Sequence, residues 1–275
     1  MKTAKDIARN ITTLRRDPVI LMHYLAWHAS KKLGRDPAID FGGGPVKGFK
    51  NFNSYLGAMR NRPTVNELRM VRHLCDSGQT IIDVGANYGA FSTLFARVAT
   101  EAKIFSFEPV PITLKSLTMN LETCAVGRAE PIMSAVGKVV GEVRFTDSDD
   151  PATNSMSSSG EIVVPCTTLD HFAAERKIAL VDFLKIDVEG AELDALIGAS
   201  RLFDEKRVRT GMIEICPGIL NSFGVDVGSI YEFLCDYRYE LVDIETGDVL
   251  TATRLSDLPR TSLINAIFRR RPRDA

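Results

Sequence analysis

The stretch Thr80-Ile-Ile-Asp-Val-Gly-Ala-Asn-Tyr-Gly-Ala-Phe-Ser92 decides the fold. Its first half is an apolar run ending on an acid, as suits a strand buried on both faces. From Ala90 to Ala99 the apolar spacing becomes helical. Between the two, Gly85 and Gly89 let the chain turn sharply and leave bare backbone for a ligand to approach. In an open α/β sheet, such a strand-to-helix turn lines the crevice at the carboxyl ends of the strands, beside the point where strand order reverses.

Outward from this turn the alternation continues. Strands are expected at Thr80 to Val84, Lys103 to Glu108 and Pro131 to Val136, separated by helices at Ala90 to Ala99 and Pro111 to Cys124. Gly141 to Thr146 and Glu161 to Cys166 read as a hairpin around the polar loop Asp147 to Gly160, which suits either an ordinary connection or a lid. The pattern resumes with helix Leu169 to Arg176, strand Phe183 to Asp187, helix Ala191 to Glu205, strand Thr210 to Ile215 and helix Val227 to Tyr237. Strands Tyr239 to Ile244 and Leu263 to Arg269 follow without a helix between them, so at least one should run antiparallel. The sum is an α/β protein with a doubly wound, mostly parallel sheet of about seven core strands.

Residues 1–60 differ in character: helices over Ala4 to Leu14 and Pro18 to Lys32, then the link Asp40-Phe-Gly-Gly-Gly-Pro45. They read as a helical appendage to a main domain of residues 61–275. The apolar stretch up to Trp27 is flanked by Arg15, Arg16, Lys31 and Lys32, so residues 15–32 suit core packing foremost, with subunit or peripheral membrane contact as other uses. That run falls short of the roughly 18 apolar residues a membrane span needs.

Composition narrows the function. A formal net charge of -1 over 275 residues carries no overall footprint for nucleic acid. The Arg269-Arg-Arg-Pro-Arg273 run reads as a solvated tail. Five scattered cysteines, without a Cys-x-x-Cys pair, indicate neither a disulfide framework nor a zinc site, and no secretory signal opens the chain. A cytoplasmic location is the expectation.

The first turn also selects among ligands. A dinucleotide site would read Gly-x-Gly-x-x-Gly around a pyrophosphate. Here Asp83 and Asn87 would repel or fail that anion, and they suit a ligand with cationic and donor groups, such as S-adenosylmethionine. Glu108, ending the next strand, is the candidate for the ribose hydroxyls, since one carboxylate can accept from both. Its competing role is to cap the helix that begins at Pro111.

A second acidic turn, Lys185-Ile-Asp-Val-Glu-Gly-Ala-Glu192, repeats the arrangement on a later strand. Together with Ile81 to Gly89, Phe107-Glu-Pro109 and Met212-Ile-Glu-Ile215, it resembles the FkbM-type family of S-adenosylmethionine-dependent methyltransferases from about Thr80 to Arg269. The resemblance implies a Rossmann-like, seven-stranded class I methyltransferase sheet and an oxygen acceptor on a sugar, glycolipid precursor or small secondary metabolite. It also implies that Asp83, Gly85, Asn87 and Gly89 meet the methionine part and Glu108 the ribose. The strand end Ser134-Ala135-Val136 would then meet the adenine, with Asp187 and Glu189 near the transferred methyl group.

A hydroxyl acceptor calls for a general base. Asp187 and Glu189 lead on position, Glu214 is also suited, and His171 reads more readily as a surface or capping residue. For Glu192, a helix N-terminus is the better explanation. A Mg²⁺ ion among these acids is chemically allowed, but no metal is expected. The competing functions are an NAD(P)-dependent oxidoreductase on the same sheet, disfavoured by Asp83 and the missing third glycine, and a cofactor-binding scaffold without chemistry, disfavoured by the intact Asp187 and Glu189. The acceptor atom, the choice of base and the oligomeric state are not legible in the sequence.

Overall fold

Apolar runs without alternation need cover on both faces, and in the computed structural model, which describes residues 18–75, 79–146, 156–157 and 159–271, they receive it. In chain order the strands are β1 (Ile39–Asp40), β2 (Pro45–Val46), β3 (Thr80–Val84), β4 (Lys103–Phe107), β5 (Ala129–Ile132), β6 (Ala135–Val136) and β7 (Gly141–Phe145). They continue with β8 (Ile162–Thr167), β9 (Val181–Ile186), β10 (Val208–Ile215), β11 (Tyr239–Asp243), β12 (Val249–Leu250) and β13 (Ile264–Arg270). The main sheet has the order β12-β11-β13-β10-β9-β3-β4-β5.

Strands β5, β4, β3, β9 and β10 are parallel. β13 inserts antiparallel between β10 and β11, as expected of at least one of the two final strands, but the short helix Ala252–Ser256, absent from the sequence reading, lies between them in the chain. The sheet therefore has the expected core strands plus the two-residue edge strand β12, which the sequence pattern does not announce. Chain order reverses between β3 and β9, and this seam locates the crevice. One face packs helix Ala90–Val98 through Leu94 and Phe95 against Ile81, Ile104 and Phe183. The other packs Phe172, Leu196, Phe203 and Ile230 against Val84, Leu184 and Ile213.

Two expected elements break in two. The strand read as Pro131 to Val136 turns after Ile132, whose carbonyl accepts from the Ser134 N–H at 3.0 Å. β5 stays in the main sheet, while β6 pairs with β8 in a separate sheet ordered β6-β8-β7. The helix read as Ala191 to Glu205 is interrupted at Gly198, where a Cβ would overlap the Gly137 carbonyl oxygen. It resumes at Ser200–Asp204, whose Arg201 and Leu202 N–H groups donate to the Asp170 carboxylate at 2.9 Å each.

Helix Pro18–Lys32 forms as expected, whereas the helix expected over Ala4 to Leu14 and most of the candidate lid lie outside the described residues. No helix among the described residues is long and apolar enough to cross a membrane. Helices Phe52–Arg60 and Val65–Leu74 were not expected from the sequence, although each begins with a capping box, Asn51 with Ser54 and Thr64 with Glu67. Trp27, Phe41, Phe49, Phe52 and Tyr55 form one aromatic cluster with Tyr88 from the first Gly-rich turn. Asn120 reinforces the join, donating to the carbonyls of Tyr88 at 3.0 Å and Lys47 at 3.1 Å.

β10 leaves no room for a side chain at Gly211, where a Cβ would overlap the Leu184 carbonyl oxygen and the Phe268 ring. Gly211→Ala should therefore cost about 3 kcal/mol by overpacking. Urea unfolding measures this, and a loss under about 1 kcal/mol would show that the sheet has slack here.

Candidate functional site

β3 stops at Val84 because the chain must turn between two neighbours that hold it. The N–H groups of Gly85 and Ala86 donate to the Phe107 carbonyl at 3.1 and 2.9 Å, and the Asp187 N–H donates to the Val84 carbonyl at 3.1 Å. Gly85 sits at φ 81°, with its Cα so close to Asp187 that any Cβ would overlap the Asp187 carbonyl oxygen. Asn87 and Gly89 are also left-handed, at φ 50° and 94°. The predicted glycines thus serve the turn geometry and the convergence of β3 with β9.

Glu108 follows β4 and takes up the capping role. Its Oε1 accepts from the Val110 N–H at 2.9 Å, at the start of helix Pro111–Cys124, and its Oε2 from the Asn87 N–H at 3.1 Å. It also lines the main cavity. Burial pushes its carboxyl up to about 7, against the pull of these two N–H groups.

The second turn is built in the same way. Glu189 and Gly190 are left-handed, at φ 53° and 106°, and Glu192 closes the turn by accepting from the N–H groups of Val188 and Gly190 at 3.1 Å. Asp187 and Glu189 project from this turn, and Glu214 from β10, into one cluster whose carboxylate oxygens come within 4.8 Å of one another. Burial, then the charges of Asp187 and Glu189, push the Glu214 carboxyl up to about 10. A cluster of this kind is relieved by a shared proton or a bound cation.

Behind the cluster stands Lys185, only 2% exposed, with Nζ 3.0 Å from Asp187 Oδ2 and 3.6 Å from Asp83 Oδ1. Burial opposes this ammonium, but Asp187, Asp83 and Glu214 outweigh it and raise its pKa. Lys185 is the main site residue not expected from the sequence. The available signal was a lysine between Leu184 and Ile186 in a strand buried throughout.

The main cavity, of about 270 Å³, is lined by Gly85, Asn87, Glu108, Lys185, Asp187, Glu189 and Glu214 among others. Asp83 does not line it. Fully buried, Asp83 accepts from Ser92 Oγ at 2.5 Å and faces Lys185, so its expected direct contact with a ligand is replaced by a place one layer behind the wall. Gly89, an N-cap at the start of helix Ala90–Val98, shapes the turn without lining the cavity.

Ser134, Ala135 and Val136 line a smaller recess instead, which shares Gly85, Pro109, Phe145 and Val188 with the main cavity. His171 lies outside both, about half exposed and 3.4 Å from Glu175, and is set aside as a base. Arg60, at the end of helix Phe52–Arg60, Arg62 and Thr64, from the connection to the next helix, and Asn265 from β13 complete the main cavity and were not anticipated. Asn265 is held by donating to Glu67 at 2.5 Å.

The residues fit an adenosyl sulfonium ligand. The Asn87 side-chain oxygen is buried without a hydrogen-bond partner on the cavity wall, the Glu108 carboxylate lines the same cavity, and the adjoining recess is largely apolar.

Residues 83–241 match the family model described as Methyltransferase FkbM domain. The chain is 27% identical over 154 residues to Hexuronic acid methyltransferase AglP of Haloferax volcanii, covering 55% of this chain and 62% of that protein. It is 29% identical over 142 residues to Methyltransferase 1 of Beauveria bassiana, covering 43% and 57%. The chain thus spans less than two thirds of the length of these curated relatives. Similar solved structures include an rRNA methylase of Streptococcus thermophilus, with TM-score 0.42, 11% identity and coverage of 74% and 93%. Another is M. jannaschii TYW2 in complex with AdoMet, with TM-score 0.39, 12% identity and coverage of 78% and 80%.

The raised Glu108 pKa has a stability consequence. Between 4.5 and about 7 the folded protein keeps a proton that the unfolded chain releases, so this contribution to stability is full below that window and lost as pH rises through it. Glu108→Gln should flatten the fall in unfolding free energy between about pH 5 and about pH 8 relative to the parent chain. Parallel curves in denaturant titrations would contradict the assignment.

Proposed function

The chain belongs to the FkbM methyltransferase domain family, and from that premise we propose that it is an O-methyltransferase whose acceptor is a hydroxyl group of a sugar, glycolipid precursor or small secondary metabolite. One observation carries the reading: Glu108, from the end of β4, opens on the same cavity as Asp187, Glu189 and Glu214, from the ends of β9 and β10. A donor site and a proton-accepting site therefore adjoin.

When bound, S-adenosylmethionine supplies an electrophilic methyl group on a good leaving group. In our reading Glu108 holds the ribose hydroxyls, the Gly85–Gly89 turn and Asn87 receive the amino-acid end, and the recess at Ser134, Ala135 and Val136 takes the base. The chain's own task is then to orient a weak nucleophile, exclude water and accept a proton. Asp187 is assigned the proton, because its carboxylate is anchored by Lys185 while its side chain remains 30% exposed at the cavity. Glu214, whose carboxyl keeps its proton to about pH 10, is suited to donate a hydrogen bond to the acceptor, and Glu189 flanks both. Asp83 serves by balancing Lys185.

Residues 1–60 act in this reading as an appendage to the 61–275 methyltransferase domain, supplying Phe41, Ser54, Ala58 and Arg60 to the acceptor end of the cavity. Arg60 and Arg62 suit an acceptor that carries a carboxylate. A relative named as a hexuronic acid methyltransferase supports the same class.

Calorimetry should show saturable binding of S-adenosylhomocysteine and none of NAD or NADP; NAD binding at comparable affinity would sink the reading. With a methyl glucuronide as acceptor, Asp187→Asn should lower kcat by about a hundredfold or more and leave donor affinity within about threefold. Loss of donor binding instead would remove Asp187 from the chemistry. Arg60→Ala with Arg62→Ala should raise KM for the glucuronide but not for the corresponding glucoside, and an equal effect on both would exclude an acidic acceptor.

A further inference from the structure

Within Phe183-Leu-Lys-Ile186, an apolar residue in place of the lysine would bury without penalty, whereas an ammonium must give up its hydration. Buried ion pairs seldom stabilise a fold beyond what apolar replacements achieve. Packing therefore does not explain Lys185, but its contacts do. The β3–β9 register sets it directly beside Asp83, whose Oδ1 has no hydrogen-bond partner and meets the ammonium at 3.6 Å. The same ammonium donates to Asp187 Oδ2 at 3.0 Å, and the Phe91 ring, 5.1 Å from Nζ to its centroid, covers another side.

Among the described residues, Asp83 on β3, Glu189 and Glu192 on its own turn, and Glu214 on β10 surround Asp187 with negative charge. Among the described residues, Lys185 is the cation paired with it.

We propose that Lys185 is a positioning residue for methyl transfer: anchored by Asp83, its ammonium grips one oxygen of Asp187 and leaves the other to the acceptor hydroxyl. This inference rests on the reading of Asp187 as proton acceptor, although its test does not. The geometry assigns Asp83 the anchoring part, which explains why an acid that ends an apolar strand faces away from the cavity.

The test follows the Asp187 side-chain carboxyl by carbon-13 NMR through a pH titration, with the signal assigned by its loss in Asp187→Asn. In the double variant Lys185→Met with Asp83→Asn, which removes the buried charges together, its midpoint should rise by about one unit or more. Far-UV circular dichroism matching the parent chain shows that the double variant is folded. A midpoint that does not move in the folded double variant would reduce Lys185 to a partner of Asp83 alone and overturn the proposal.

Asp187→Asn gives a second reading that does not depend on how the double variant folds. The nitrogen-15 signal of the Lys185 ammonium should shift and exchange its protons faster, and an unchanged signal would overturn the proposal as well. Failure of the proton-acceptor reading would appear elsewhere, as an Asp187→Asn variant that retains full turnover.

Discussion

The close approach of β3 and β9 is the constraint on which the rest of the cavity depends. Where these parallel strands end, the chain turns in opposite directions, and Gly85 brings backbone against the Asp187 carbonyl oxygen. That contact fixes the spacing of the two acidic turns, and with it the distance between a carboxylate suited to ribose and the carboxylates suited to a reacting hydroxyl. It also sets Asp83 opposite Lys185 in the register, so the backbone pairing and the buried charges are specified together. A side chain at position 85 would separate them.

Electrostatics then divides acids that the sequence presents as equivalent. Glu108 and Glu214 are both pushed upward by burial, to about 7 and about 10, but Glu108 is offset by two backbone N–H groups whereas Glu214 faces further negative charge. Asp187 has an ammonium at 3.0 Å. Environments that push neighbouring acids apart are what allow one to hold a proton while another accepts one. Such an arrangement costs stability, and the cost is spread over the helices and strands that hold the turns in place.

Much of this is legible in the amino-acid sequence. Both Gly-rich turns, their strands and Glu108, Asp187, Glu189 and Glu214 as cavity residues follow from local pattern, because strand-turn-helix geometry is set within about a dozen residues. What escapes depends on partners distant in sequence. Asp83 reads as a ligand contact until β9 places Lys185 beside it; Arg60, Arg62 and Asn265 reach the cavity through packing that no spacing records. The strand at Pro131 to Val136 breaks because β6 is claimed by β8, and the helix at Gly198 because Gly137 passes too close. His171, which the local pattern reads as a surface or capping residue, does stand half exposed outside both cavities.

A crystal structure of the protein with S-adenosylhomocysteine tests the central claim most directly. The account predicts the ribose hydroxyls against the Glu108 carboxylate, the base in the recess at Ser134 to Val136, and the sulfur facing Asp187 with the Lys185 pair intact. A ligand bound away from the Gly85–Gly89 turn, or an Asp187 turned from the cavity in the complex, would contradict it.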